Sequence, residues 1–383
     1  MALDSVNMAA GDHRGAARIA IVGTGYVADL YMPSLRSFPG LEIVGAWDID
    51  PQRLSAFAGR WKLPAAASFE ALAARPPDIL LNLTNPHAHA IVTAAALDAG
   101  IHVWCEKPLA LSMAEAEDLI ARAAARGLHL ASAPCSLLGQ AAQTAWGALR
   151  GGRIGKPRLA YAELDDDFLP AAPYRSWRSA SGAPWPAADE FATGCTLEHA
   201  GYYLGWLMAM FGPVRRLVAG SARVLDTAQT GAGHHTPDYS SASLFFDDMV
   251  ARLTCSIVAR HDHRLRIFGD DGVLEIDEAW ANGAAVRVRR RHVIRRRLIN
   301  SPFATRVRPS GSGHPMVGRR GAASMNFALG VAEMARAIAQ GATPRLAGDF
   351  ALHLTEVSLA MQAGGEQEMR TGFAPMAPMD WGG

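Results

Sequence analysis

Cysteine is scarce in this chain. Cys105, Cys135, Cys195 and Cys255 are its only four, widely spaced and without a Cys-x-x-Cys pair. That argues against a disulfide framework or a cysteine-held zinc and fits a reducing cytoplasm. An excess of one charge is also missing: 37 Lys and Arg stand against 36 Asp and Glu. No global field therefore selects nucleic acid or an anionic membrane as partner. No uninterrupted apolar run is long enough to span a bilayer. Residues 1–17 lack the basic start and apolar middle of a secretion signal and read as a flexible tail. What remains is an ordinary globular composition, half of it hydrophobic, in 383 residues. That length suggests two domains with room for sizeable cores.

From Arg18 the pattern becomes regular. Arg18–Val22 is a short apolar, β-branched run, and it and the runs at Leu41–Trp47, Ile79–Leu83, His102–Cys105 and Leu128–Ala133 read as strands. Helical sequence fills the gaps. Asp50-Pro51 offers a cap and a first-turn proline for a helix to about Trp61. Gly100 closes an alanine-rich helix, and Ser112 through Glu115 is a capping box. Strands alternating with helices predict a doubly wound parallel sheet over residues 18–134.

After about residue 150 the style changes. Leu159–Leu164, Ser243–Phe246, Val250–Ile257, Leu265–Phe268 and Val273–Ile276 read as strands, several joined by short polar turns. That predicts hairpins and an antiparallel sheet in a second domain, residues 135–383. Helical sequence returns at 325–340 and 350–362. Seven arginines crowd Arg287–Arg297. They suit a solvated strand face or hairpin better than a binding stripe, given the neutral total charge.

Gly23-Thr24-Gly25-Tyr26-Val27-Ala28 follows a strand and opens a helix. In that context Gly-x-Gly-x-x-Ala is a dinucleotide turn. Gly23 makes the bend, Gly25 lets the backbone approach a pyrophosphate, and Ala28 packs the helix close. The helix N-terminus supplies amides and a positive dipole end. Asp48 closes the second strand, where a carboxylate accepts from ribose hydroxyls and repels a 2′-phosphate. NAD is therefore expected over NADP. Lys107, in Cys105-Glu106-Lys107-Pro108, stands at the carboxyl end of the fourth strand, the edge where such sheets bind ligands. An ammonium there can polarise a hydroxyl.

Taken with Thr84-Asn85-Pro86-His87-Ala88-His89, these motifs resemble the glucose-fructose oxidoreductase / inositol dehydrogenase / rhizopine catabolism family over about residues 18–375. The resemblance implies a Rossmann domain followed by an α/β domain with an open, mostly antiparallel sheet. It also implies a homodimer or homotetramer built through that sheet, and sugars, cyclitols or their derivatives as substrates. It makes Lys107 the catalytic lysine. Thr84 and His89 line the nicotinamide side, and Asn85 and Glu106 also contact the cofactor.

The family's second motif, Asp-x-x-x-His, matches Gly194-Cys195-Thr196-Leu197-Glu198-His199-Ala200-Gly201-Tyr202-Tyr203. With Gly201 fixing the register, His199 takes the aspartate place and Tyr203 the histidine place, where some members also carry tyrosine. His199 is then either a site residue or a hydrogen-bonded core histidine. Tyr203 or His199 exchanges the substrate's proton, and Lys107 holds its oxygen. Where many relatives carry Tyr-Asn-Arg, this chain has Ala133-Pro134-Cys135. Cys135 reads as a buried structural thiol. Tyr174, Trp177, Arg178, Trp185, Asp189 and Glu190 precede the second motif. Trp177 and Trp185 suit stacking on a sugar ring.

His261-Asp262-His263 places two imidazoles on one strand face, but no further ligands are apparent in the sequence, so no metal is expected. His234-His235 reads as a polar loop. Two rival functions share these motifs. One is a redox-neutral glycosidase using tightly held NAD, and the other is a non-catalytic dinucleotide sensor.

Overall fold

The computed structural model describes residues 15–226, 235–309, 313–318 and 324–381. The N-terminal sheet consists of β1 (Ala17–Val22), β2 (Leu41–Trp47), β3 (Ile79–Asn82), β4 (His102–Cys105) and β5 (Leu130–Ser132). All pairings are parallel, in the order β2-β1-β3-β4-β5. The central strands are continuous apolar runs because crossover helices cover both faces. Those helices are α1 (Tyr26–Leu35), α2 (Pro51–Trp61), the short α3 (Phe69–Ala73), α4 (Pro86–Asp98) and α5 (Met113–Ala125). Asp50 accepts the Gln52 and Arg53 amides to start α2. Ser112 accepts the Glu115 amide to start α5. The strand order reverses at β1, and the crevice outside the carboxyl ends of β1 and β3 is the expected ligand position.

The second sheet is built from β6 (Pro157–Asp165), β7 (Arg216–Ala222), β8 (Tyr239–Phe245), β9 (Val250–Ser256), β10 (Leu265–Gly269), β11 (Gly272–Ile276), β12 (Val286–Ile294), β13 (Arg297–Asn300), β14 (Thr305–Arg306) and β15 (Gly365–Glu368). Its order is β13-β12-β11-β10-β6-β9-β8-β7-β15, with β14 on β12. Only β6 and β9 pair in parallel. The fold class read from the strand pattern is the one observed.

Among the described residues five helices accompany this sheet: α6 (Gln140–Arg150), α7 (Ala187–Thr193), α8 (Cys195–Phe211), α9 (Leu329–Ala339) and α10 (Asp349–Ala363). Helix α8 is buried on nearly every side. It lies between the second sheet and the first domain, where Gly201 brings it against the Pro134 ring. The C-terminal part of the chain returns to the first sheet. Ser132 N donates to Leu346 O at 3.2 Å and Gly348 N to Leu130 O at 3.0 Å.

The arginine-rich stretch is the β12–β13 hairpin. Arg287 pairs with Asp277 and Arg289 with Glu275, while Val286 and Val288 point into the core. This is the solvated hairpin expected of the arginine run. Strands β7, β14 and β15 and helix α3 are not apparent in the sequence, and β7 is rich in Gly, Ala and Ser. All four cysteines are buried and free. Burial pushes the Cys135 thiol up to about 12, so it is not a nucleophile at neutral pH. Residues 1–14 of the expected tail, and His234, lie outside the described residues. Among the described residues no helix is long and apolar enough to cross a membrane.

Candidate active site

Gly23 sits at φ +89°, and a Cβ there would lie 2.6 Å from the backbone of Leu83 and Thr84. Only glycine fits where the end of β3 passes this close to the turn. Gly25 caps α1 without any side-chain acceptor, and space beyond it is open. The first amides of α1 are thus left for an anion. Tyr26 and Val27 are half-buried, and Ala28 is fully enclosed. These residues fit a pyrophosphate cradle.

Asp48 is buried at the end of β2. One of its oxygens accepts from Thr24 N (2.7 Å) and Thr24 Oγ1 (2.9 Å), the other from Asp50 N (2.9 Å). It braces the glycine turn, and a ribose hydroxyl would share these oxygens. Arg53 Nε lies 3.9 Å away.

Thr84 Oγ1 donates to Asn82 Oδ1 at 2.6 Å. Asn85 caps α4 and reaches Asp189 Oδ2 at 3.4 Å. His89 is fully buried, its ring clamped between the carbonyls of Pro108 (2.6 Å) and Thr84 (3.1 Å). Burial holds its pKa below the usual value. His89 therefore fixes the backbone of the pocket wall instead of presenting its ring. Glu106 accepts from Tyr31 Oη (2.6 Å) and Lys107 N (3.1 Å), and Trp104 Nε1 donates to Tyr31 Oη (2.9 Å). That network orients the backbone carrying Lys107.

The Lys107 ammonium forms a short ion pair with Glu198 Oε2. Their side chains are 20% and 6% exposed, so the pair is sheltered but reachable. Burial works against the ammonium, yet Glu198, Glu190, Tyr202 and Glu106 outweigh it, and the lysine stays charged well above neutrality. Glu198 is pushed up to about 7, first by burial and then by the neighbouring Glu190 carboxylate. A carboxyl poised near neutrality beside a fixed ammonium is suited to exchange a proton with a hydroxyl.

The expected partners of Lys107 lie elsewhere. His199 Nε2 meets Asp166 Oδ2 at 3.0 Å, and Tyr203 Oη donates to the His263 carbonyl at 2.7 Å. Tyr203 is buried, and burial together with Glu278 and Asp262 drives its pKa well up, so it is a poor base at neutral pH. The face of α8 turned to Lys107 carries Glu198 and Tyr202. Sequence reasoning passed over this pair because Gly201 set a register one residue later. The available signal was Glu-x-x-x-Tyr, an acid and a phenol with the spacing of the motif.

Trp177 and Trp185 meet edge to face at 5.4 Å, and Trp185 packs on Tyr174 (5.5 Å) and Phe191 (5.9 Å). Their segment is strapped to the first domain through Asp29. This carboxylate accepts from Ser179 Oγ, Ser181 N (3.1 Å), Ser181 Oγ (2.6 Å) and Trp61 Nε1. The strap leads into α7, which presents Asp189 to Asn85 and Glu190 to the Lys107–Glu198 pair.

Two family models match the chain. Residues 17–133 match "Oxidoreductase family, NAD-binding Rossmann fold", and residues 142–275 match "GFO/IDH/MocA C-terminal domain". The mouse trans-1,2-dihydrobenzene-1,2-diol dehydrogenase is 27% identical over 70% of this chain and 76% of its own length. The D-apiose dehydrogenase of Paraburkholderia graminis is 29% identical over 54% of this chain, but only 52% of its own length is matched. Both are named as dehydrogenases, which favours neither the glycosidase nor the sensor reading. Among solved structures, the aldose-aldose oxidoreductase of Caulobacter crescentus complexed with glycerol superposes with a TM-score of 0.71. It covers 92% of this chain and 100% of its own at 20% identity, a likeness of fold.

Proposed function

Because the chain belongs to the glucose-fructose oxidoreductase / inositol dehydrogenase / rhizopine catabolism family, we propose that it is an NAD-dependent oxidoreductase acting on a hydroxyl of a sugar, sugar derivative or cyclitol. The observation that carries this reading is the Lys107–Glu198 pair at the carboxyl edge of β4, facing the crevice headed by the glycine turn. NAD, when bound, supplies the hydride acceptor. The protein manages the proton and the oxygen.

Lys107 donates to the substrate oxygen and stabilises negative charge as it develops there. Glu198, ionised above about 7, takes the hydroxyl proton and returns it in the reverse reaction. Burial, and after it Glu190, keep Glu198 in the useful range by destabilising its carboxylate. Tyr202, stacked on Trp280 at 4.1 Å, forms a rigid wall beside the pair. Trp177 and Trp185 offer apolar faces to a sugar ring from the strap. His199 and Tyr203 support α8 on the sheet instead of exchanging the proton.

Asp48 favours NAD over NADP by charge. The β12–β13 hairpin exposes Val293, Ile294, Leu298 and Ile299 at the edge of the sheet, which supports assembly into a homodimer or homotetramer there. The test is a screen of NAD-loaded protein against sugars, sugar acids and cyclitols, following NADH absorbance and products. Turnover that Lys107→Met and Glu198→Gln both abolish supports the reading. Turnover indifferent to both substitutions refutes it.

A further inference from the structure

We propose that Asp166, His261 and His263 form a binding site for one divalent first-row transition-metal ion, with Zn²⁺ the favoured occupant. Asp166 is far in sequence from His261 and His263, and the sheet brings it to them. Asp166 follows β6, His261 and His263 precede β10, and backbone bridges Asp165–Asp262 and His263–Glu278 lock the segments side by side. One donor atom from each of the three lies within 4.8 Å of the others. Donors around a zinc-sized ion stand roughly 3.3–4.3 Å apart, given metal–ligand distances of about 2.0–2.2 Å. The closest pair, His263 Nε2 and Asp166 Oδ1, is hydrogen-bonded at 2.8 Å, so an ion entering the cluster takes the place of the proton they share and parts them by about half an ångström.

The supporting shell is already built. Glu278 accepts from both imidazoles, through His263 Nδ1 at 2.9 Å and His261 Nε2 at 3.0 Å. That leaves His263 Nε2 and His261 Nδ1 as metal donors. Asp166 Oδ1 lies 2.8 Å from His263 Nε2, and its other oxygen meets His199 Nε2 at 3.0 Å. A carboxylate behind each ligating imidazole, and a partner behind the ligating carboxylate, is the outer arrangement that orients metal ligands. Two imidazoles and one carboxylate suit Zn²⁺ and its neighbours over Ca²⁺ or Mg²⁺. Asp166 and Glu278 together carry two negative charges, which a dication balances once both imidazoles are neutral.

The site borders the crevice. The His263 ring stacks on Trp280 at 5.5 Å, and Trp280 stacks on Tyr202 at 4.1 Å, so one aromatic column joins the ligand cluster to the wall beside Lys107. The His261 side chain is about half exposed, giving the ion an entry path and positions for water or a substrate oxygen.

The experiment uses the full chain with NAD bound, stripped with a chelator and exchanged into metal-free buffer. Zn²⁺ is titrated calorimetrically, and Co²⁺ is followed by its visible absorption. One ion per chain is expected. His261→Gln and Asp166→Asn should each weaken Zn²⁺ at least tenfold. Glu278→Gln should weaken it by ~10–100-fold, as loss of an outer partner does. Lys107→Met should bind Zn²⁺ as the wild type does. His261 is the most exposed of the three, so His261→Gln carries the test if Asp166→Asn does not fold. Failure of the wild type to bind one Zn²⁺ per chain, or binding unchanged in His261→Gln, overturns the proposal.

Discussion

Replacing Glu198 with Gln keeps the shape of the side chain and removes its titration. The structure sets two magnitudes. The first is kinetic. If Glu198 takes the hydroxyl proton, its loss should lower kcat by ~100-fold or more, the usual contribution of a positioned acid–base group. Wild-type oxidation should rise with pH through about 7 and level off as Glu198 ionises, and reduction should fall over the same range. Lys107 remains charged throughout and adds no limb of its own. In Glu198→Gln both limbs near 7 should vanish.

The second magnitude is thermodynamic. Glu198 is raised from 4.5 to about 7 in the folded chain. Between those values the folded state holds a proton that the unfolded state has lost. Stability therefore falls as pH rises through this window, by ~3 kcal/mol in all at 1.36 kcal/mol per pKa unit. Glu198→Gln lacks that slope, although the unpaired Lys107 gives it a penalty that does not vary with pH. Chemical unfolding at intervals from pH 4.5 to 8 should show the variant gaining on the wild type by about 3 kcal/mol. A variant that keeps the kinetic limb near 7, or tracks wild-type stability at every pH, refutes the assignment of Glu198.

Four further outcomes follow from the geometry. Lys107→Met should lower kcat by ~100-fold while NAD affinity, measured by calorimetry, changes little. Tyr203→Phe should leave the pH–rate profile intact and cost ~1–3 kcal/mol of stability, because it loses only the bond to the His263 carbonyl; loss of the pH limb would restore Tyr203 as the proton exchanger. Asp48→Ser removes the charge that repels a 2′-phosphate, while Arg53 stays paired with Asp50 nearby, so NADP affinity should rise at least tenfold relative to NAD; an unchanged ratio places the selectivity elsewhere. Asp29→Ala should release the strap at Ser179 and Ser181, seen as faster limited proteolysis between residues 166 and 186 and a higher KM. Unchanged cleavage would show that aromatic packing alone holds it.

The fold was legible in the sequence wherever local signals agreed. The first five strands alternate with helices whose caps are spelled out by Asp50, Ser112 and Gly100, and each stands within a few residues of where it was expected. The glycine turn was legible because it carries its own context, a strand before and a helix after. What was hidden depends on tertiary contact. Asp29 looks like an ordinary first-turn acid on α1, and only the folded chain brings Ser179 and Ser181 to it. The carboxylates that meet His261 and His263 are Asp166, reached across a backbone bridge, and Glu278, and neither pairing can be read from the sequence.

The misplaced pair on α8 has a simple physical origin. An amphipathic helix announces which side faces what, because polar residues recur on one flank. Helix α8 does not: from Cys195 to Phe211 it is buried nearly all round, so its sequence carries no stripe to fix its rotation. Register then rests on a single landmark, Gly201, and a shift of one residue turns a side chain by about 100° around the axis. That rotation separates Glu198 from His199 and Tyr202 from Tyr203. Two polar pairs with the same spacing thus occupy two different faces. The pair facing the first domain meets the Lys107 ammonium, and the pair facing the sheet meets a carbonyl and the Asp166 cluster. Chemistry assigned by spacing alone is degenerate on such a helix, and the buried charge of Lys107 lifts the degeneracy. An ammonium sheltered from water needs a carboxylate within reach, and Glu198 is the only acidic residue that α8 can supply.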